Sequence, residues 1–257
     1  MKEPIVLIGV GEMGGVFARA FLRFGHPVIP VTRSVSAETV AKRHPDATLV
    51  LVAVAEADLH PTLDGLPEAW NAKLALLQNE LLPDDWERHS LTDPTVISVW
   101  FEKKKGQDAK VIIPSPCFGP NADLLVDSLA SIDISARKVA DEDAMLNELV
   151  IKNAYILTSN IAGLKVGGTV GTLWAEHREF AEKVCSDVLD IQEQLVGHGV
   201  DREAVITGMV EAFNGDPEHK CMGRSAPARL ARALGQANEF GLGVETLREI
   251  AAESEAV

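Results

Sequence analysis

The strongest constraint on this chain lies close to its start, in the pattern Gly9-Val10-Gly11-Glu12-Met13-Gly14. A compact apolar run, Pro4–Ile8, leads into it, and a helical pattern carrying Phe17, Phe21 and Leu22 follows. A G-x-G-x-x-G is a weak signal alone; placed between a strand and a helix it has the context that a dinucleotide-binding turn needs. There the first glycine permits the tight turn, the second lets a pyrophosphate approach the backbone, and the third allows close helix–strand packing. Free N–H groups and the positive dipole end of the helix then face the phosphates.

The pattern beyond the loop extends this reading. Short apolar runs at Pro27–Val31, Thr48–Val54, Leu74–Leu77 and Thr95–Trp100 alternate with helical stretches such as 36–43, as in a parallel sheet covered by helices. Val111–Ile113 is a further candidate strand, and the Pro114–Pro120 cluster reads as loop. After a last short strand near Ile132–Val139 the chain turns helical. Asp141 is a candidate N-cap, and a long helix from Met145 runs to the glycine cluster Gly163–Gly171. Helices follow over 180–196, 202–213, 226–240 and 244–252, with Gly197 as a stop and Asp201 and Ser225 as candidate N-caps. The expected fold is α/β: an N-terminal Rossmann-type, doubly wound parallel sheet (1–143), then a mostly α-helical C-terminal domain (144–257) for substrate and dimerisation.

The end of the second strand discriminates between nucleotides. An NAD site offers an acid there for the ribose 2′-hydroxyl, whereas an NADP site places an arginine near the 2′-phosphate. Here Val31 is followed by Thr32, Arg33 and Ser34, and no acid occurs between Met13 and Ala37. Arg33 can clamp a 2′-phosphate while Thr32 or Ser34 adds a hydroxyl. The expected cofactor is NADP (NADPH). Its binding set is Gly9, Gly11, Glu12, Met13, Gly14, Thr32, Arg33, Ser34, Val54 and Asn79.

In the long helix, Met145, Leu149, Lys152, Ile156 and Asn160 fall on one face. Three of them are apolar, so Lys152 points where a core residue belongs. Burying an ammonium costs several kcal/mol unless it is paired or its pKa falls. Such a lysine could protonate a carbonyl oxygen as hydride arrives; the competing reading is a methylene stem lying on the stripe with its head in water.

Charge distribution bears on that choice. The chain has 38 acids in 257 residues and a formal net charge of −14. That balance argues against a nucleic-acid or acidic-membrane surface. Yet Met13–Ala37, Ile151–Ala175 and His219–Asn238 contain no acid, and the last carries Lys220, Arg224, Arg229 and Arg232. Positive charge so concentrated suits an anionic cofactor and a small anionic substrate. Cys117, Cys185 and Cys221 are far apart and lack metal-ligand spacing, so neither a disulfide framework nor a metal site is expected. With no signal-like start and no long apolar run, the expectation is a soluble cytoplasmic protein.

Together these residues resemble the ketopantoate reductase family, within the wider 6-phosphogluconate dehydrogenase-like group. Four features carry the likeness: the loop with Met13, Gln78-Asn79 after a strand, Lys152-x7-Asn160, and Cys221-Met222. The resemblance implies that Lys152 is the general acid, assisted by Asn160, and that Asn79 lies at the nicotinamide end of the cofactor. It implies substrate contacts at Asn79, Cys221, Arg224 and Ser225. The sequence departs from the family at Glu80, where a glycine is usual, and at Ile156, where a second asparagine is usual. The family's C-terminal glutamate position falls near Ala233. Lys220, Arg224 or Arg229 then stand as candidates to hold a different acid.

The expected function is therefore NADPH-dependent reduction of a ketone on a small anionic substrate, 2-dehydropantoate 2-reductase-like. The alternatives are an NADPH-binding sensor or regulatory protein without catalysis, and an imine- or pyrroline-type reductase. The apolar patterns of the last helices supply a candidate homodimer face.

Overall fold

The computed structural model describes residues 2–255. The chain divides into two compact units between Glu148 and Leu149.

In the first unit, β1 (Ile5–Ile8), β2 (Val28–Val31), β3 (Leu49–Val52), β4 (Leu74–Leu76) and β5 (Thr95–Ile97) form a parallel array. β8 (Ser115–Phe118) and β9 (Ala136–Lys138) complete a sheet of order β2-β1-β3-β4-β5-β8-β9, with β8 antiparallel to β5. The chain steps outward from β1 to β2, then returns to lay β3, β4 and β5 on the other side. The switch point thus lies at the carboxyl ends of β1 and β3, where doubly wound sheets bind ligands.

The strand sequences explain their place. Ile5–Ile8 and Leu49–Val52 are apolar at every position and fully buried, as strands covered on both faces must be. On one face Ile5, Leu7, Leu49 and Leu51 pack with Phe17 and Phe21 of α1 (Glu12–Arg23) and Leu125 and Leu129 of α5 (Ala122–Ala130). Phe17 and Phe21 lie one turn apart on a single helix face, and burial of each contributes about 2–3 kcal/mol. Ser36 caps α2 (Ala37–Arg43) by accepting from the Thr39 N–H. α3 (Leu59–Asp64) and α4 (Asp84–Glu87) are short helices that follow β3 and β4.

Two sequence expectations about the strands need correction. The Pro114–Pro120 cluster is not all loop, since Ser115–Phe118 is a sheet strand with Ser115, Pro116 and Cys117 buried. Pro116 lacks an N–H, but its carbonyl accepts from Ser98 N, so the proline occupies a position where only its acceptor is needed. The strand expected at Val111–Ile113 is instead β7 (Lys110–Val111), which pairs with β6 (Phe101–Glu102) in a hairpin outside the main sheet.

The second unit is helical. α6 (Glu142–Val166) runs into it from the first; Asp141 receives the Ala144 N–H at 2.9 Å, as a capping side chain does. α7 (Val170–Glu176), α8 (Arg178–Val196), α9 (Arg202–Gly215), α10 (Ala226–Glu239) and α11 (Glu245–Glu255) follow. α8 buries Val184, Val188 and Ile191, and ends at Gly197 in the left-handed conformation, φ 77°. Asp201 caps α9 through the Ala204 N–H. α9 approaches α6 at Gly208, where a Cβ would stand 2.7 Å from Ile151 Cδ1. Ser225 precedes α10 but does not cap it: its hydroxyl accepts from Arg229 instead. No helix among the described residues is long and apolar enough to cross a membrane.

Candidate active site

The glycine loop leaves β1 at the switch point, and its glycines serve different ends. Gly9 has φ +92°, and a Cβ there would meet the Ala53 carbonyl oxygen at 2.6 Å. A Cβ on Gly14 would run into the Gly9 carbonyl oxygen. These two glycines are demanded by the chain's own packing. Gly11 is not: nothing in the protein lies within 4 Å of a Cβ placed on it. As N-cap of α1, Gly11 offers the first turn no side-chain acceptor. A helix start with no side-chain cap, next to the open space at Gly11, leaves backbone N–H groups that suit the diphosphate of a dinucleotide.

The other expected cofactor residues fall at neighbouring strand ends. Met13 packs partly into the sheet core. Glu12 is the first residue of α1 and faces Lys103 at 3.4 Å. Val54 lies beyond β3, with Cγ1 3.2 Å from a Gly9 Cβ. Thr32, Arg33 and Ser34 form an exposed turn after β2, closed by Val35 N donating to Thr32 O; the Thr32 and Ser34 hydroxyls lie 3.0 Å apart. No acid stands in that turn.

After β4, Gln78 is buried and ties two strand ends together. Its Nε2 donates to Val52 O at 2.8 Å and Val54 O at 3.3 Å, while its Oε1 accepts from Leu77 N. Asn79 Nδ2 donates to Glu56 Oε1 at 3.0 Å. Glu56, in a 3₁₀ turn after β3, is a residue that sequence reasoning missed; three-residue turns leave no periodic trace. Glu80 sits at φ 62°, a left-handed conformation in which a glycine rests without strain.

In the second unit, Lys152 is buried on α6, its Nζ 5.6 Å from the centroid of the Tyr155 ring. Burial, then the nearby positive charge of Arg229, bring its pKa down to about 7. Arg229, on α10, is itself buried. From Nη1 it donates to Asn160 Oδ1 at 2.9 Å and to Ser225 Oγ at 3.2 Å. Asn160 Nδ2 faces Ser159 Oγ at 3.4 Å. Asn160, Ser225 and Arg229 thus form one hydrogen-bonded group, with Lys152 close enough to feel its charge. Ile156, between Lys152 and Asn160 on the helix, is buried and offers no polar atom.

Two of the expected substrate residues, Arg224 and Cys221, are not members of this hydrogen-bonded group and differ in burial. Arg224 is exposed. Cys221 is fully buried, and a Cβ on Gly163 would stand 2.8 Å from its own Cβ. Burial pushes its thiol pKa up to about 11. Cys221 therefore packs α6 and presents no accessible atom to a substrate. Arg229, raised in the sequence as one of several basic residues, is hydrogen-bonded to Asn160 and Ser225.

The first unit is a doubly wound sheet with a glycine-rich loop after β1, and the second a helical body that carries the Lys152 helix. Solved 2-dehydropantoate 2-reductases share this fold. The chain is similar to 2-dehydropantoate 2-reductase from Methylococcus capsulatus, with TM-score 0.71 and 13% identity over 98% of this chain and 96% of that one. It is similar to dimeric ketopantoate reductase from Staphylococcus aureus, with TM-score 0.59, 17% identity and 98% of both chains covered. D-mandelate dehydrogenase, solved as a ternary structure with NADH and anilino(oxo)acetate, matches with TM-score 0.64 and 11% identity over 98% of this chain and 97% of its own. No protein-family model matches the sequence. No curated protein sequence matches it either. At these identities the shared property is the fold.

Proposed function

We propose that the protein is an NADP(H)-dependent oxidoreductase that reduces the ketone of a small 2-oxo acid. The observation that carries this reading is the buried Lys152, with a pKa near 7, beside the hydrogen-bonded group of Asn160 and Arg229. An ordinary lysine holds its proton too tightly to serve as a responsive acid at neutral pH; this one does not.

The residues divide the work. Gly11 and the start of α1 hold the diphosphate, and Arg33 with Thr32 and Ser34 receives a 2′-phosphate. When bound, the reduced nicotinamide supplies a hydride to the carbonyl carbon. Lys152 Nζ donates its proton to the carbonyl oxygen as negative charge builds there, leaving a neutral amine and an alcohol. Water returns the proton to Nζ. Arg229 is the counter-charge for the substrate carboxylate, and Asn160 orients its guanidinium. The fold-level likeness to keto-acid reductases and to a dehydrogenase solved with an oxo-amide acid is in keeping with this class.

The test is a panel of 2-oxo acids assayed with NADPH and with NADH, following loss of reduced nicotinamide. Turnover of at least one acid, faster with NADPH, is the expected outcome. Tight NADPH binding with no turnover of any member would contradict it and favour a sensor, a reading that the apolar Ile156 already makes concrete.

A further inference from the structure

Glu12 poses an electrostatic problem for the glycine loop. It is the first residue of α1, so its carboxylate stands at the helix end that a dinucleotide diphosphate would occupy. An acid there suits an empty helix, but it competes with and repels a bound anion.

The structure offers a compensating charge from elsewhere in the same unit. Lys103 lies in the loop of the β6–β7 hairpin, which packs on α1 through Phe101 and Phe17, ring centroids 6.0 Å apart. Its ammonium donates to the carbonyl oxygens of Lys104, at 2.9 Å, and Gln107. The Glu12 carboxylate stands 3.4 Å away. An ammonium has three donors, and this one is directed by two carbonyl anchors rather than left to roam. A cavity of about 290 Å³ opens beside the pair, lined by Gly11, Glu12, Gly15, Arg19, Lys103 and Asp108. Of the charged residues that line it, Glu12 is the next residue after Gly11, and Lys103 stands against it.

We propose that Lys103 is a positioning residue of the dinucleotide site, cancelling the Glu12 carboxylate so that the start of α1 stays attractive to the cofactor's diphosphate. It acts through Glu12, not by touching phosphate. This rests on the dinucleotide reading of the glycine loop.

The experiment measures dissociation constants of NADPH and NADH, by nicotinamide fluorescence, for the whole protein and three variants. Lys103→Met should weaken both nucleotides about tenfold or more, because an uncompensated carboxylate then faces the diphosphate common to them. Glu12→Gln should bind at least as tightly as wild type. The double variant should return to within about threefold of wild type. A double variant as weak as Lys103→Met would overturn the proposal, since Lys103 would then be acting directly or through the fold of the hairpin. A loss confined to NADPH would also overturn it, by assigning the lysine to the 2′-phosphate. Wild-type protein that bound neither nucleotide would remove the dinucleotide reading itself and this proposal with it. That result is distinguishable from any pattern among the variants.

Discussion

Arg229 reaches across from α10 to place Nη1 2.9 Å from the Oδ1 of Asn160 on α6, joining residues 69 apart in sequence. The bond fixes a buried guanidinium on the helix that carries Lys152, so one element holds the proposed proton donor and the orienting partner of the proposed carboxylate anchor. If Arg229 binds the substrate carboxylate, Arg229→Lys should raise KM for a 2-oxo acid about 10–100-fold with a smaller change in kcat, because a lysine cannot reproduce the planar fork. Steady-state kinetics check this. An unchanged KM would leave Arg229 a structural residue.

The lowered pKa of Lys152 has a sign. Protonated lysine is the acid, so reduction at saturating substrate should be constant below pH 7 and fall as pH rises through about 7. Arg229 is one of the two causes of the depression. Removing its charge, in Arg229→Met, should move the falling limb toward higher pH. A profile flat from pH 6 to 9 in the wild type, or a limb that moves down in the variant, would contradict the assignment.

The glycine loop predicts opposite outcomes at two positions. Gly11 has φ −79°, which alanine tolerates, and open space around it. Gly11→Ala should leave stability within about 0.5 kcal/mol but weaken NADPH binding. Gly14→Ala should destabilise the fold by more than about 2 kcal/mol, because its Cβ meets the Gly9 carbonyl oxygen. Thermal unfolding with and without NADPH separates the two; equal destabilisation would contradict the distinction.

Glu80 occupies a left-handed conformation at φ 62°. A side chain there costs about 1 kcal/mol relative to glycine, so Glu80→Gly, which also removes the contacts of the carboxylate, should raise stability by no more than about that amount in chemical denaturation. Loss of stability would show that contacts of the Glu80 side chain outweigh the strain.

Elements whose residues recur at a fixed spacing are legible in the local sequence. The strand–loop–helix at Pro4–Phe21 and the face shared by Met145, Leu149, Lys152 and Ile156 follow from periods of two and 3.6, and all four of these helix residues are buried. β8 was hidden because prolines signal loops, and only the sheet reveals that Pro116 sits where an N–H is not needed. Ser225 looked like a cap because serine before a helix usually is one; its hydroxyl is drawn away by Arg229. The Asn160–Arg229 bond and the Asn79–Glu56 bond join segments with no pattern linking them, so neither could be read in advance. Cys221 matched a position in the resembled family but is enclosed beside Gly163.

If Lys152 donates the proton, its removal should slow the chemical step. The most direct test is the rate of 2-oxo acid reduction by Lys152→Met, with NADPH affinity and stability measured on the same preparation. kcat should fall about 10²–10⁴-fold. NADPH affinity should stay within about threefold of wild type and the variant should remain folded, so that the loss in kcat reports the proton donor. A variant that reduced the same acid at the wild-type rate would contradict that role.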